Sequence, residues 1–496
     1  MIGISSKAAI IRFHIQMVLR NILKRPFLNM VKIVGMTLAL TGVILIVLLI
    51  KYELSFDRFN SNPENIYRLT VTNPEFIGGK HFARTYNTSY MSDLKAKYPD
   101  IKNYVRLSRI GGGVLKLDDK YVKIKQAYVC DSTFFEMFNA PLIIGDKSNI
   151  LAQPGSMILT ESFAKKVFGK ENPIGKTLTI PLGQYYGEET NFTIKGIMKD
   201  FPQNSHFHPE LITTSVYNYE FNGWGWTYLL IAENSNIELL EQNISNVINK
   251  KFKRDEDDNK RIAHLQKLTQ IHLNSHKLRE METNSNMMNI YVLSIAAIML
   301  LSISMANYAS LNLGMSQFSY KFLKTSNILG SSKRSIFNYF MIESIIGTII
   351  TLSLTFLVLF PVNIWVQKYF NLYLFSSNLK LIIIISIIFS FLVILTGILP
   401  FVKNIILRTF SFIGKSEGFH FNNNTSGKTM IVVQYAFSVI LIVAVLVISI
   451  QTRYALKNSI GVEENNVLCM EKVHQGVQKN FELFKEELLS MQAETS

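Results

Sequence analysis

The segment 169–177 ends in Gly175-Lys176-Thr177, the tripeptide with which a phosphate-binding loop grips a nucleotide. Such a loop needs four residues between its first glycine and the Gly-Lys pair, set between a strand and a helix, so that backbone N–H groups curl around the phosphates. Here five residues separate Gly169 from Gly175, one of them Pro173, and the helical pattern comes before the segment. Spacing and context predict a turn. His206 and His208 stand beside Pro209 with no acid or cysteine at helical ligand spacing. A metal site takes three or four convergent ligands, so a pair of turn histidines is expected. No Ser–His–Asp or paired-carboxylate arrangement follows from spacing. The chain is expected to be no enzyme and to hold no metal or cofactor itself.

Two polar residues lie inside apolar runs. Glu343 falls about two helical turns into one of them, where a charge costs several kcal/mol unless paired. It is expected near the inner interface, paired with Lys333, Arg334 or the amino-terminal helix. Asn307, inside another run, is expected to hydrogen-bond between helices.

The elements that must position these residues are mostly membrane spans. Of 496 residues 48% are hydrophobic and only 18% charged, yet the net charge is +15. Runs over 31–50 and 290–313 each exceed the ~20 residues that cross a bilayer core, and three more follow. Basic residues gather beside these runs, as cytoplasmic loops require, and so argue against nucleic-acid binding. The loop 314–335 carries Lys321, Lys324, Lys333 and Arg334 with no acid, and 402–429 carries Lys403, Arg408, Lys415 and Lys428 against Glu417. An amino terminus inside, a large domain outside and a carboxy terminus outside follow. The first run is too long for a signal peptide and lacks a small-x-small cleavage site. Cys130 and Cys469 are expected as unpaired thiols.

The predicted fold class is an α-helical polytopic membrane protein of five transmembrane helices, with a large α+β domain inserted between the first two. The boundaries are an amphipathic elbow helix over 1–30, a span over 31–51, the external domain with its stalks over 52–288, and a second span over 289–313. A cytoplasmic loop over 314–335, a span over 336–360, an external turn over 361–378 and a span over 379–401 come next. The loop 402–429, a fifth span over 430–451 and the start of a second external domain over 452–496 complete the chain. On the elbow Ile11, Ile15, Val18, Leu19 and Ile22 share one face, and Arg12, Gln16, Arg20 and Lys24 another, toward anionic headgroups. Residues 51–59 should continue the first span as a stalk. In the domain, strands are expected at 66–71, 177–181, 192–198, 211–215, 227–232 and 261–268, with a hairpin over 114–129. Helices are expected at 87–98, at 134–138 capped by Asp131, at 161–168 capped by Thr160 and closed by Gly169, and from Asn236 to 252. Two subdomains are expected. The lead-in, span and exit ending in Asn65-Ile66-Tyr67 recur ahead of Asn466-Val467-Leu468, a partial internal repeat.

Ser55-Phe56-Asp57-Arg58-Phe59 followed by Ile66-Tyr67-Arg68 opens a linked series of motifs. It continues through Phe134-Phe135, Leu159-Thr160-Glu161-Ser162, Asn172-Pro173-Ile174-Gly175-Lys176-Thr177, Lys199-Asp200-Phe201-Pro202, Asn204-Ser205-His206-Phe207 and Leu329-Gly330-Ser331-Ser332. In this series the chain resembles the MacB/FtsX-like permease subunits of ABC transporters, in the large form common in Bacteroidota. The resemblance implies a MacB-like periplasmic core domain and an inner-membrane location. It also implies a second permease chain, identical or not, and a cytoplasmic ABC ATPase that binds ATP and Mg on the permease's behalf. Membrane lipids are partners too, and a periplasmic adaptor or outer-membrane partner is compatible. The family is thought to work by mechanotransmission, ATP-driven closure below the membrane moving the stalks above it. Phe56, Asp57, Arg58, Phe59, Tyr67 and Arg68 are the stalk positions of this pattern, and Lys321, Phe322, Lys324, Leu329, Gly330, Lys333 and Arg334 form the expected coupling loop. That loop departs from the family's Arg-Ala-Lys-Glu-Val-Gly-Ile-Arg-Lys: the acidic position is Phe322, the glycine Lys324 and the basic pair Ser326 and Asn327. Large relatives carry a second external domain and further spans, so a truncated or split permease is expected. A non-transporting FtsX-like scaffold and an inactive fragment are the alternatives.

Overall fold

Helical and sheet-forming sequence separate into two units, one formed by Met1–Tyr52 and Met288–Glu464, the other by Glu53–Met287 with Asn465–Ser496. The computed structural model describes residues 2–74, 80–86, 88–110, 113–117, 120–147, 150–181, 189–215, 223–252, 260–328, 333–402, 425–457 and 480–494. For 2–10, 113–117, 120–121, 181, 189, 316–328, 333, 425–431, 456–457 and 491–494 it describes the backbone alone. The repeat strand at Asn466 and Cys469 lie outside the described residues.

In the first unit five helices are long and apolar enough to cross a membrane: Pro26–Leu54, Met287–Met315, Arg334–Phe370, Ser376–Val402 and Val432–Ala455. The first is the hub. Met36, Leu40, Ile44 and Leu48 repeat every fourth residue, so they stack on one face. They are buried against Tyr308, Leu359, Ile382, Phe389 and Val393 of the other helices. Gly42 lets Leu300 approach, since a Cβ there would stand 2.7 Å from the Leu300 side chain. A Cβ on Gly397 would stand 1.8 Å from Ser344 Oγ, so the third and fourth helices touch through small residues. On the lipid-facing side Ile383, Ile384, Ile387, Ile388 and Phe391 are exposed. Trp365, Tyr369, Phe370 and Tyr373 form an exposed aromatic group of the kind that sits at a membrane–water boundary.

Two expectations change here. The segment 314–335 is not simply a loop, because one helix runs Met287–Ile328 and the next starts at Lys333. Residues 314–328 contain a single glycine and no proline, so nothing interrupts the helix once it leaves the apolar stretch. The amino-terminal helix, Ile2–Lys24, does not bury its whole apolar face. Val18 packs against Tyr339 and Phe340 with Ile22 beside it, while Ile11, Ile15 and Leu19 stay exposed. His14 and Asn21 share the packed side through Ser335 Oγ at 3.2 Å and the Tyr339 hydroxyl at 3.0 Å. The helix therefore has three stripes: one held by protein, one apolar and open, one basic.

The second unit is built on a 14-stranded sheet. Its main path runs Ile262–Lys267, Ile66–Asn73, Trp224–Ile231, Ile101–Arg109, Ala127–Cys130, Leu211–Thr214, Ser156–Thr160, Glu189–Met198, Thr177–Pro181, Gly113–Leu117 and Lys120–Ile124. Two pairs are parallel, Leu211–Thr214 with Ala127–Cys130 and Glu189–Met198 with Ser156–Thr160; the others on this path are antiparallel. Instead of two subdomains, one continuous sheet carries three cores. Alternation on Trp224–Ile231 shows how: Trp226 and Tyr228 enter one core, Leu229 and Ile231 the core on the opposite face. The helix Ile237–Lys251 covers that second core, and Glu161–Phe168 covers a third.

Local signals held in part. Asn236 Oδ1 caps its helix by accepting from Leu239 N at 3.0 Å. Gly169 closes Glu161–Phe168 at φ 62°, a left-handed conformation that glycine enters without steric cost. Thr160 stands at the N-cap, but its hydroxyl donates to Glu210 O instead. Asp131 does not cap Phe134–Met137, because Arg106 takes its carboxylate through the backbone N, Nε and Nη2 at 2.8, 3.0 and 2.7 Å. The expected hairpin is Gly113–Leu117 with Lys120–Ile124, and its turn at 118–119 lies outside the described residues.

The edge strand Ile262–Lys267 is not left bare. Asn249 Oδ1, Ser245 Oγ and Glu241 Oε1 accept from the backbone N of Arg261, Ala263 and Leu265 at 2.8, 2.9 and 2.6 Å. Every fourth residue of a helix thus serves every second residue of a strand.

Candidate functional site

The first apolar helix ends at Leu54, earlier than the stalk to 59 that the sequence suggests. Asp57 turns the chain at φ 60°, a conformation that costs most residues ~1–2 kcal/mol but that aspartate tolerates through local hydrogen bonds. Its own N donates to Asn204 O at 2.8 Å, and Asn204 Nδ2 donates to Ser55 O at 3.0 Å. The Asp57 carboxylate is 1% exposed and meets His206 Nδ1 at 2.8 Å. His206 Nε2 lies 2.6 Å from the Tyr228 hydroxyl, which donates to Met281 Sδ at 3.2 Å. Burial pushes the Tyr228 phenol far up, so it stays protonated. Two motifs far apart in sequence, Ser55 to Phe59 and Asn204 to Phe207, are therefore one constellation.

Around it the remaining stalk residues find partners. Phe56 stacks on His272 with centroids 3.3 Å apart, and His272 Nε2 meets Glu53 Oε2 at 2.9 Å. Arg58 is exposed and pairs with Glu64 at 3.0 Å. Phe59 meets Phe201 edge to face, and Tyr67 enters the core under Ile237–Lys251. Arg68 is fully buried, donating to Glu280 at 2.6 and 3.0 Å, Gln266 Oε1 at 2.9 Å and Ser275 Oγ at 2.9 Å. Burial pushes the Glu280 carboxyl up, but the Arg68 hydrogen bonds and charge outweigh it and hold it below the usual range. His208 is no idle turn residue either: its Nδ1 lies 2.9 Å from Glu282, which also accepts from Gln126 at 2.7 Å. Burial lowers the His208 pKa, Glu282 raises it, and the rise prevails.

Entry residues 53–68 and exit residues 271–282 are thus fastened to the same sheet by paired charges. Sequence reasoning missed the exit side entirely. Its only signal was a set of polar residues, Ser275, Glu280 and Glu282, ahead of the second apolar helix.

The membrane unit has its own buried polar group. Glu343 pairs with Lys32 of the first apolar helix at 3.6 Å, a partner other than those expected, and among the described side chains Arg334 makes no such pair. Lys32, 6% exposed, also donates to Asn312 Oδ1 at 3.3 Å and lies 5.6 Å from the Tyr308 ring. Asn307 accepts from Gln434 Nε2 of the fifth apolar helix, the interhelical bond expected of it. Of the coupling residues, Lys321, Phe322 and Lys324 fall on the helix Met287–Ile328, and Lys333 opens Lys333–Phe370 with Arg334 exposed behind it. Leu329 and Gly330 lie outside the described residues.

Gly175 turns at φ 82° with its N on Ile194 O at 2.8 Å, while Lys176 pairs with Glu171 at 2.5 Å. That lysine is engaged on a surface turn. Cys130 is buried in the core, where burial pushes its thiol up.

Residues 30–247 match the family model described as MacB-like periplasmic core domain. Among solved structures, a domain of a permease protein from Porphyromonas gingivalis is 19% identical with a TM-score of 0.34, covering 42% of this chain and 91% of that one. The periplasmic region of MacB from Actinobacillus actinomycetemcomitans is 17% identical with a TM-score of 0.30, covering 40% and 88%. The extracellular domain of the ABC-type transporter YknZ from Gram-positive bacteria is 14% identical with a TM-score of 0.31, covering 40% and 99%. No curated protein matches the chain.

Proposed function

We propose, from the premise that its MacB-like periplasmic core domain makes this chain a MacB/FtsX-like permease of the inner membrane, that it transmits motion driven by a separate cytoplasmic ABC ATPase to that domain. The observation that carries this reading is the placement of the core domain between the first two apolar helices, fastened at both ends. A displacement of either helix end meets short, buried contacts: Asp57 on His206 at one end, Glu280 on Arg68 at the other. Breaking such a pair costs about 3–5 kcal/mol, so the sheet follows the helices more readily than it parts from them. The amino terminus, the segment 314–335 and the loop 402–429 then face the cytosol, with the helix end at 316–328 and Arg334 as the surface for the ATPase.

Purification of the full chain from native membranes tests this. An ABC ATPase should accompany it, the chain alone should hydrolyse no ATP, and Arg334→Glu should reduce the recovery of the ATPase. ATP hydrolysis by the isolated chain, or recovery without any ATPase, would count against the reading.

A second reading is favoured by one observation in the sequence. Phe322, Lys324, Ser326 and Asn327 replace the acid, glycine and basic pair of the family's coupling segment. A chain that no longer engages an ATPase would serve as a scaffold for a periplasmic partner. Recovery of that partner with no ATPase in the same preparation separates the two.

A further inference from the structure

At the end of the sheet remote from residues 53–65, Arg84 lies against two tryptophans, with Arg109 and Arg279 near enough for their charges to act on it. Trp226 is the centre. Its ring lies 6.0 Å from the Arg84 guanidinium, which is also 5.5 Å from the Trp224 ring. Its indole Nε1 donates to Arg279 O at 3.1 Å. Its cross-strand neighbour is Leu107, and Arg109 stands two residues further along that strand, on the same face by the alternation of strand side chains. Arg279 is held at φ 64°, a left-handed backbone that non-glycine residues keep only when their surroundings enforce it. A hydrogen bond from Ala83 N to Leu278 O at 2.9 Å and one from Leu278 N to His81 O at 2.9 Å supply that enforcement.

Like charges near a half-buried guanidinium raise the cost of its charge, and an anion among them would lower it. Among the described residues no carboxylate pairs with Arg84, Arg109 or Arg279. Glu280 and Glu282, the nearest acids to Arg279 in sequence, are committed to Arg68 and to His208 with Gln126. The Arg84 Nε is shielded from solvent and has no hydrogen-bond acceptor among the described residues. Burial, with the charges of Arg279 and Arg109 behind it, pulls the Arg84 pKa down to about 10. The indole faces hold the guanidinium by cation–π attraction, which orients it without neutralising it.

We infer that Arg84, Arg109 and Arg279 form a binding site for a phosphate-bearing ligand on the periplasmic domain. Guanidinium forks match phosphate oxygens in bidentate fashion. A phosphate monoester brings a charge of about −1.5 to −2 with three acceptor oxygens, whereas a carboxylate would neutralise one arginine and leave two. The group can be carried by a lipid headgroup or by a soluble phosphate. The site does not depend on the coupling reading, because every residue in it belongs to the domain.

The chain has three tryptophans, Trp224, Trp226 and Trp365, so Trp365→Phe leaves both remaining reporters at the site. In detergent, this full-length variant is titrated with pyrophosphate in one arm and with dihexanoyl phosphatidic acid in the other. Sodium chloride at equal ionic strength is the control. A saturable fluorescence change with half-saturation of order 1 mM or lower, weakened at least about tenfold by Arg84→Gln and by Arg279→Gln but not by Lys147→Gln, is the expected result. Response in the lipid arm alone assigns the headgroup, in the pyrophosphate arm alone a soluble ligand, and in both the phosphate group itself. Ligand-free Arg84→Gln should melt at or above the temperature of its parent, since repulsion is relieved. Absence of saturation in both arms, an equal response to chloride, undiminished binding by Arg84→Gln, or a lower melting temperature for that variant would overturn the site.

Discussion

Arg68 and Lys32 are both buried basic residues, one in the sheet unit and one among the apolar helices, and they are held very differently. Arg68 has two hydrogen bonds to Glu280 with Gln266 and Ser275 beside them. Lys32 has Glu343 at 3.6 Å and Asn312 at 3.3 Å. A guanidinium in a low-dielectric core needs acceptors around its planar fork, and Glu280, Gln266 and Ser275 supply four oxygens to the two Nη groups of Arg68, leaving its Nε without one among the described residues. An ammonium on a flexible stem reaches for whatever carboxylate is nearby. The domain is built to keep one arrangement, while the helical bundle contains a pair that can lengthen or exchange at small cost.

Breaking the tighter cluster should have the larger effect. Arg68→Met leaves Glu280 buried without its cation, a loss of about 3–5 kcal/mol, read as a drop in melting temperature on the order of 10 °C. Asp57→Ala strands His206 and should cost about as much, since both partners are 1% exposed. If either variant melts with the wild type, the domain is not fastened as described. Lys32→Met should destabilise less, because Glu343 loses a single contact at 3.6 Å rather than a set of short hydrogen bonds, a charge at a helix centre costing about 2.5–3.5 kcal/mol. Lys32→Met with Glu343→Gln should recover most of the loss, and a double variant as unstable as the single would refute the pairing. Asn307→Ala should be smallest, about 0.6 kcal/mol, the usual size of an interhelical hydrogen bond.

Titration sharpens the contrast from the domain side. The His208 pKa is raised in the fold, so its contribution is fully present below the unfolded value near 6.5 and is lost as pH rises through the folded value. The His81 pKa is lowered to about 4 by burial, helped by Lys277, His264 and Arg68. It therefore works in the opposite sense: stability falls as pH drops from 6.5 toward 4, where only the unfolded chain takes up the proton. NMR titration of Glu282→Gln should show the His208 pKa falling, and an unmoved His208 would show that Glu282 is not its cause.

What the sequence revealed follows from range. Spans, the Asn236 cap, the Gly169 stop and most strands depend on neighbours within a few residues, and they were legible. Arg68 with Glu280, Lys32 with Glu343 and Asp57 with His206 join residues far apart along the chain, so no local spacing announces them. Asp131 shows the opposite failure. Its position is right for a helix cap, but Arg106 on an adjacent strand offers three donors where the helix offers backbone alone. The helical continuation to Ile328 escaped notice because charge, rather than backbone preference, drew the boundary there.

The fit of Glu241, Ser245 and Asn249 along Ile262–Lys267 is a match of two rulers. Four helical residues advance ~6.0 Å and two strand residues ~6.6–6.8 Å, close enough to stay in step for three rungs. A strand seeking to extend the sheet by docking there would find its donors already spoken for. The domain can crowd against copies of itself without polymerising through that margin, and inserting a single residue between Glu241 and Ser245 would throw the rungs out of phase and reopen it.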